Sequence, residues 1–192
     1  MRIFHIEPWT GVEGPGNRFC LWVQGCRRHC PGCFNPQTWE FNSGEEISAD
    51  ELLSQIFETR DIEGITLLGG EPFEQAEELY RVCKTVREKG LSVVAFTGYT
   101  LEELQQTDDQ NVHMLLSEVD LLIDGPFLIE QQDFSRPWVG SKNQRYLFMT
   151  DRYSVQDVFN SDQKVEFHID KQGKIHINGM PNLEMQAFLG II

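Results

Sequence analysis

Four short apolar runs, each closed by a glycine-rich or polar loop, set the strongest constraint on how this chain can fold. They occupy residues 18–24, 64–68, 92–96 and 119–123. Continuous apolar runs of strand length are typical of strands buried on both faces, as in a parallel sheet covered by helices. We therefore expect an α/β protein in which four loops converge at the carboxyl ends of the strands, where sites in such sheets gather.

Helical segments are predicted between these strands. Ser48 with Glu51, and Thr100 with Glu103, have the Ser/Thr-x-x-Glu spacing of a capping box, so each pair predicts a helix start. Over residues 76–86 the apolar positions recur at helical spacing and keep one face, which predicts another helix. The alternation of strand, loop and helix supports the α/β assignment.

The C-terminal quarter has a different pattern. Residues 145–149 are predicted to form a further strand, and residues 165–169 and 175–177 alternate apolar and polar side chains around a turn at 171–173. Alternation on both sides of a glycine-containing turn indicates a β-hairpin. We therefore expect a core domain over 1–152 and a C-terminal extension with this hairpin over 153–192.

The composition limits the classes of partner. The chain has 192 residues, of which 40% are apolar, enough to bury the core of one domain. The 16 Lys and Arg residues against 30 Asp and Glu residues give a formal charge of -14, which disfavours nucleic acid and an anionic membrane surface as partners. With no long apolar stretch in the sequence, we expect a cytoplasmic location.

Three of the five cysteines lie within eight residues, at Cys26, Cys30 and Cys33. The C-x3-C-x2-C spacing allows one loop to wrap three thiolates around a cubane iron-sulfur cluster, whereas an electron-transfer cluster has four cysteine ligands. One iron would therefore have no thiolate. Cys20, on a predicted strand, and Cys83, on the apolar face of a predicted helix, are read as small buried hydrophobic residues.

Structural zinc is the alternative, because His29 could add a fourth ligand to the three cysteines. His29 adjoins Cys30, however, and neighbouring side chains rarely both turn towards one ion. Zinc motifs also usually pair two C-x2-C knuckles that are distant in sequence, and this chain has one. The spacing favours an iron-sulfur cluster and leaves zinc open.

Two motifs together carry a family resemblance. The C-x3-C-x2-C loop after the first apolar run, with Gly69-Gly-Glu-Pro72 after the second, resembles the radical S-adenosylmethionine (SAM) superfamily. The resemblance implies a 4Fe-4S cluster whose open iron binds SAM, and reductive cleavage of SAM to a 5'-deoxyadenosyl radical that abstracts hydrogen. It also implies a partial (β/α)6-type barrel with mostly parallel strands, here followed by the hairpin extension.

A narrower resemblance, over roughly Ile6 to Met149, is to the activating-protein family of anaerobic ribonucleoside-triphosphate reductase. Its motifs in this sequence are Asn17-Arg-Phe19, Cys30-Pro-Gly-Cys-Phe-Asn-Pro36, Phe96-Thr-Gly-Tyr-Thr100, Asp124-Gly-Pro-Phe127 and Trp138-Val-Gly-Ser-Lys-Asn-Gln144. Many radical SAM loops have an aromatic residue directly before the third cysteine, where this chain has Gly32, with Phe34 directly after. The activating proteins share that arrangement.

The resemblance also implies roles for individual residues. The cluster ligands would be Cys26, Cys30 and Cys33. The residues that bind SAM would be Gly32, Cys33 and Phe34 beside the cluster, Gly69, Gly70 and Glu71 at its amino group, and Thr97, Asp124 and Gln144 as further pocket residues. No side chain is expected to act as a general base.

The implied substrate is a backbone glycine of a separate glycyl-radical enzyme, the anaerobic ribonucleotide reductase, with flavodoxin or ferredoxin as the kind of electron donor. A second hypothesis is a radical SAM tailoring enzyme that acts on a peptide or a small molecule, with the C-terminal hairpin closing its pocket. A third is an interaction module in which the cysteines bind a structural metal.

Overall fold

The structure is a computed structural model that describes residues 1–160, 165–169, 173 and 175–179. Most of the turn predicted at 171–173, and the part of the predicted extension from residue 180 onward, lie outside the described residues. The strands are β1 (Arg2–Thr10), β2 (Arg18–Val23), β3 (Glu45–Glu46), β4 (Gly64–Gly69), β5 (Ser92–Phe96), β6 (Leu121–Asp124), β7 (Arg145–Phe148), β8 (Val165–Ile169) and β9 (Ile175–Gly179). The helices are α1 (Ala49–Glu58), α2 (Ala76–Glu88), α3 (Leu101–Gln106), α4 (Gln110–Ser117) and α5 (Val155–Phe159).

Seven of these strands form one sheet in the order β3-β1-β2-β4-β5-β6-β7. The four predicted apolar runs are its central strands β2, β4, β5 and β6, which pair in parallel, so this prediction is confirmed. Strands β1, β3 and β7 pair antiparallel at the two sides. The chain between β6 and β7 contains no α-helix, and an antiparallel pair, unlike a parallel one, needs no crossover helix.

The predicted helix starts are confirmed at both capping pairs. The Ser48 hydroxyl accepts from the backbone N–H of Glu51 at 3.2 Å at the start of α1. At α3 the box is reciprocal, because the Thr100 hydroxyl accepts from Glu103 N at 3.2 Å and the Glu103 carboxylate accepts from Thr100 N at 2.7 Å. The hairpin β8–β9 is also confirmed, as an antiparallel pair.

The two faces of the sheet have different coverings. Helices α1, α2 and α4 pack against each other, and their apolar residues share a core with alternate strand residues such as Leu21, Leu67 and Ala95. Because side chains alternate along a strand, the intervening residues, among them Trp22 and Leu68, project from the opposite face. This second face is where the cavity described below lies. No helix in the described part of the chain is long and apolar enough to cross a membrane.

A buried arginine links the parallel strands on this second face. Arg18, at the start of β2, is completely buried, and its guanidinium donates to the hydroxyls of Thr66 (3.1 Å) and Ser92 (2.6 Å) on β4 and β5. It also donates to the Ile65 carbonyl and to the Tyr153 hydroxyl, the latter at 2.8 Å. A buried cation is tolerated only when its donors are satisfied. Arg18 thus fastens the strands to the chain that follows β7.

We expect Arg18→Met to lower the free energy of unfolding by about 3 kcal/mol, because it leaves several buried oxygen acceptors without their donor. Urea unfolding followed by circular dichroism measures this change. Arg81→Met, at an exposed position of α2, is the matched control and should stay within about 0.5 kcal/mol of the wild type. Equal stability of the two variants would contradict the structural role of Arg18.

Candidate functional site

The cysteine loop leaves the carboxyl end of β2 and is fixed at its start by backbone hydrogen bonds. Gly25 N donates to Thr38 O at 2.7 Å, and Cys26 N donates to Trp39 O at 3.1 Å. Cys26 is buried, which leaves its thiol facing away from bulk solvent. The loop is therefore anchored by its own continuation, residues 38 and 39, before it reaches the other two cysteines.

The second half of the loop is a tight turn between Cys30 and Cys33, closed by Cys33 N donating to Cys30 O at 3.1 Å. Gly32 lies in this turn with φ at +77°, a conformation that favours glycine. A Cβ atom at Gly32 would lie 2.7 Å from Cδ1 of Ile129, so the Ile129 side chain would also have to move. This explains why a glycine precedes the third cysteine here.

Backbone N–H groups lie near two of the sulfur atoms. Asn35 N donates to Sγ of Cys33 at 3.4 Å, and the backbone N–H groups of Arg28 and His29 lie close enough to the Cys26 thiol to lower its pKa. Burial raises the pKa of the Cys26 thiol, and the two backbone donors oppose that shift. Hydrogen bonds to sulfur are a feature of iron-sulfur sites, where they tune the cluster. The donor set of this loop therefore fits a cluster held by thiolates.

The zinc alternative fits less well. The His29 ring stacks on Trp39 with ring centroids 4.5 Å apart, so it has a packing partner outside the cysteine set. Within the described ranges no group of three or more His, Cys, Asp or Glu side chains is arranged to hold a metal ion. A tetrahedral zinc site needs a fourth donor beside the three thiols. A cubane that keeps one iron for SAM needs only these three, one for each remaining iron.

The remaining two cysteines are core residues, as predicted. Cys20 on β2 and Cys83 on α2 are completely buried, and burial raises the pKa of both thiols well above the ordinary range. Neither thiol is placed to act as a thiolate ligand. The loop cysteines therefore stand alone as candidate ligands among the described cysteines.

The glycine-rich turn after β4 lies directly against the start of the cysteine loop. Gly70 N donates to Val23 O and Glu71 N donates to Gly25 O, both at 2.8 Å. A Cβ atom at Gly70 would lie 2.3 Å from the carbonyl oxygen of Gly25, so a side chain would push the two backbones apart. The structure thus brings the two motifs of the sequence into contact, and glycine is what permits their close approach.

Glu71 is completely buried and accepts three hydrogen bonds. Its carboxylate accepts from Phe73 N (3.1 Å), from the Thr97 hydroxyl (2.9 Å) and from Gly98 N (2.8 Å). Burial raises the pKa of Glu71 to about 7 in spite of these donors, which favour the charged form. In this structure Glu71 joins the loop after β4 to the loop after β5, and Thr97 supports it.

A cavity of about 760 Å³ lies on the sheet face opposite the helices, within the size range of small-molecule sites. Cys33 and Gly69 line it, so both motifs reach it. The remaining wall combines seven Phe and Trp residues with eight polar residues. Its other lining residues are Phe4, His5, Glu7, Glu13, Trp22, Phe34, Asn35, Leu68, Phe96, Phe127, Gln132, Phe134, Trp138, Gly140, Gln144, His168, Ile177, Asn178 and Gly179.

The predicted site residues divide into two groups. Those that line the cavity are Cys33, Phe34, Gly69 and Gln144. Those that do not line it are Cys26, Cys30, Gly32, Gly70, Glu71, Thr97 and Asp124. Asp124 is buried in an ion pair with Arg145 at 2.5 Å, and the Gln144 side-chain oxygen accepts from Gly140 N at 2.8 Å. Both residues therefore hold loops in place.

Phe34 forms part of an aromatic wall. Its ring is tilted against Phe127, with centroids 5.1 Å apart, and meets Phe134 edge-on at 5.9 Å. Such pairs add to the stabilisation that area burial alone provides. The residue directly after the third cysteine is thus held by packing at the edge of the cavity.

Much of the cavity lining was not predicted from the sequence. Trp22, Leu68 and Phe96 lie on predicted strands and share the second face, but a run of apolar residues does not indicate which face bears a cavity. Glu13 was also missed, although a single carboxylate between Val12 and a glycine is a usable signal. It is buried, and its carboxylate accepts from Gly179 N at 3.2 Å.

The protonation of Glu13 generates a prediction. Burial raises its pKa from 4.5 to about 8, so between these values the folded chain keeps a proton that the unfolded chain releases. The free energy of unfolding should therefore fall as the pH rises through this range. We expect wild type to lose about 1 to 3 kcal/mol relative to Glu13→Gln between about pH 5 and pH 8 in urea unfolding. If the free energies of unfolding of the two proteins changed equally with pH, a protonated Glu13 would be contradicted.

Comparison with known proteins agrees with the cysteine chemistry. Residues 12–147 match the family described as "4Fe-4S single cluster domain". A solved structure, that of QueE from Escherichia coli, is similar with a TM-score of 0.43 at 20% identity, covering 52% of this chain and 53% of that chain.

Curated relatives match over almost their whole length. The anaerobic ribonucleoside-triphosphate reductase-activating protein of Escherichia coli (strain K12) is 35% identical over 152 residues, covering 75% of this chain and 96% of the relative. The proteins of the same name from Vibrio cholerae and Enterobacteria phage T4 are 36% identical over 154 residues and 32% identical over 158 residues. They cover 75% and 79% of this chain, and 96% of each relative. This chain therefore belongs to the family of anaerobic ribonucleoside-triphosphate reductase-activating proteins, radical SAM enzymes whose cofactors are a 4Fe-4S cluster and SAM.

Proposed function

We propose that this chain abstracts a hydrogen atom from a backbone glycine of an anaerobic ribonucleotide reductase and so activates that enzyme. One observation carries the proposal: the cysteine loop and the glycine-rich turn are hydrogen-bonded side by side, and Cys33 and Gly69 both line one cavity. Radical SAM chemistry needs the cluster and the amino end of SAM to be adjacent. The names of the relatives support the reductase as the protein acted on.

Cys26, Cys30 and Cys33 are the residues we propose to hold the cluster. The bound cluster supplies the electron that cleaves the sulfonium of SAM to methionine and a 5'-deoxyadenosyl radical. The protein contributes an anchored loop, a backbone donor to the sulfur of Cys33, and three thiols with no fourth cysteine in the loop. The cavity would leave the remaining iron accessible to SAM.

The pocket residues have separate tasks in this proposal. The backbone at Gly69 and Gly70, with Glu71, would face the amino group of SAM, while Gly32 and Phe34 would lie beside the cluster. The aromatic contacts of Phe34 with Phe127 and Phe134 would give the pocket an apolar wall beside the cluster. Three further residues would fix the loops of the pocket. Thr97 donates a hydrogen bond to Glu71, Asp124 forms an ion pair with Arg145, and Gln144 accepts a hydrogen bond from Gly140 N.

The wider setting is also part of the proposal. We propose that the sheet is curved as a partial (β/α)6-type barrel with the cavity on its inner face, which the placement of the helices on the other face supports. We further propose a radical SAM core over 1–152 with an extension over 153–192. A cytoplasmic location and a flavodoxin or ferredoxin as electron donor would suit a reduced cluster and free thiols.

We expect Cys30→Ala to lose the visible absorbance of the cluster and to reduce 5'-deoxyadenosine formation to background, because two thiolates hold a cubane poorly. Anaerobic reconstitution with iron and sulfide, followed by SAM cleavage under reductant, measures both. Cys83→Ala is the matched control: it changes a core cysteine and should retain the cluster and the cleavage. A Cys30→Ala protein with wild-type cluster content would refute the ligand assignment.

The substrate is tested by incubating the reconstituted protein, SAM and reductant with the anaerobic ribonucleotide reductase. We expect a glycyl radical in the electron paramagnetic resonance spectrum, formed only when all components are present. SAM cleavage without any glycyl radical would refute the proposed substrate and favour a tailoring enzyme that acts on a peptide or a small molecule.

A further inference from the structure

The C-terminal hairpin exposes an apolar face. In the β8–β9 pair, Phe167 lies opposite Ile177 and Ile169 lies opposite Ile175. Opposite residues and residues two apart project to the same side of a sheet, so these four side chains share one side, called here the hairpin face. Their exposed fractions are 51% for Phe167, 42% for Ile177, 69% for Ile169 and 58% for Ile175. Four large apolar side chains in one exposed group indicate an interaction surface.

The polar side of the hairpin is the side that contacts the rest of the protein. The Glu166 carboxylate accepts from the Thr10 hydroxyl at 2.6 Å and from Gly11 N at 2.8 Å. The Asn178 side-chain amide donates to the Thr10 hydroxyl at 2.9 Å. A two-stranded sheet packed on a protein would ordinarily bury its apolar side. Here specific polar contacts hold the hairpin so that its apolar side is directed outward.

The hairpin face is continuous with the cavity. Ile177 belongs to the hairpin face and also lines the cavity, together with His168, Asn178 and Gly179 of the same hairpin. Cys33 and Gly69 line the same cavity. A polypeptide segment that reaches the cysteine loop through the cavity can therefore contact the hairpin face with its flanking residues. A small molecule held inside the cavity would have no use for an outer apolar surface.

The hairpin lies beyond the part of the chain that matches the 4Fe-4S family, which ends at residue 147. The relatives match over 96% of their own length but account for 75% to 79% of this chain. The matched region thus contains the motifs for the cluster and SAM. The hairpin adds lining residues to the cavity and an exposed apolar surface beside it.

We propose that the hairpin face is a docking surface for the polypeptide substrate, and that it holds the glycine-bearing partner while its reactive segment occupies the cavity. This inference rests on the proposed function, because the partner is the glycyl-radical enzyme named there. The partner should present an apolar surface next to its glycine segment. A second copy of this chain bound to the hairpin face would lie next to the cavity and would compete with the partner for this surface.

The test is the double variant Ile169→Thr/Ile175→Thr. Threonine keeps the β-branch that suits a strand and removes much of the apolar surface, and neither position lines the cavity. The matched control is Phe57→Gln/Met114→Gln, at exposed apolar positions (44% and 36%) of α1 and α4. Binding to the anaerobic ribonucleotide reductase, SAM cleavage without partner and glycyl-radical yield are measured for the reconstituted proteins.

We expect the hairpin variant to bind the reductase about tenfold or more weakly, since apolar anchors dominate interface energetics. Its glycyl-radical yield should fall at low partner concentration and recover at high concentration, while SAM cleavage without partner is unchanged. The control variant should match the wild type in all three measurements.

Three results would overturn the docking surface: unchanged affinity, an equal loss in the control variant, or a change of oligomeric state in light scattering without loss of affinity. The last would assign the hairpin face to contacts between copies. Failure of the proposed function gives a different result. In that case the wild type itself cleaves SAM but forms no glycyl radical with the reductase, whatever the hairpin variant does.

Discussion

The contact between two backbones, where the turn after β4 meets the loop after β2, is the constraint on which the site depends. Two hydrogen bonds of 2.8 Å, from Gly70 N and Glu71 N, join segments almost fifty residues apart in the sequence. Parallel pairing of β2 with β4 brings their carboxyl ends to one edge, and the absence of a side chain at Gly70 lets the backbones touch. The proposed cluster ligands and the proposed amino-group site are therefore placed by main-chain geometry, which tolerates little variation.

The sequence was informative where a pattern reflects one dominant force. Continuous apolar runs locate the central strands because strands buried on both faces consist mostly of apolar residues. The Ser/Thr-x-x-Glu spacing locates helix starts because these side chains accept hydrogen bonds from backbone N–H groups that have no partner within the helix. The first strand, Arg2–Thr10, was missed. Its buried residues follow no regular alternation and its pairing with β2 has register shifts, so no period is present to be detected.

The candidate site was predictable to a similar extent. The cysteine loop and the glycine-rich turn were each identified from a short motif, because the residues of each motif lie close together in the sequence. The cavity wall was not predictable, since Trp22 and Phe96 reach it only through the pleat of strands whose exposed side is unknown until they assemble. Glu71 shows a further limit. The sequence indicates an acidic side chain beside a ligand, whereas the structure shows its carboxylate accepting from Phe73 N, Thr97 and Gly98 N.

The hydrogen bond from the buried Arg18 guanidinium to the Tyr153 hydroxyl ties the core to the segment that follows the family-matched region. Tyr153 follows the family-matched region, and Val158 on α5 is buried with strand residues of the core. The first part of this segment thus packs into the core, while the hairpin after it is held by hydrogen bonds of Glu166 to Thr10 and Gly11 and of Gly179 N to Glu13. A shortened form of the chain should therefore retain both Tyr153 and α5, because losing Tyr153 removes one acceptor from the buried Arg18 guanidinium and losing α5 uncovers the core residues around Val158.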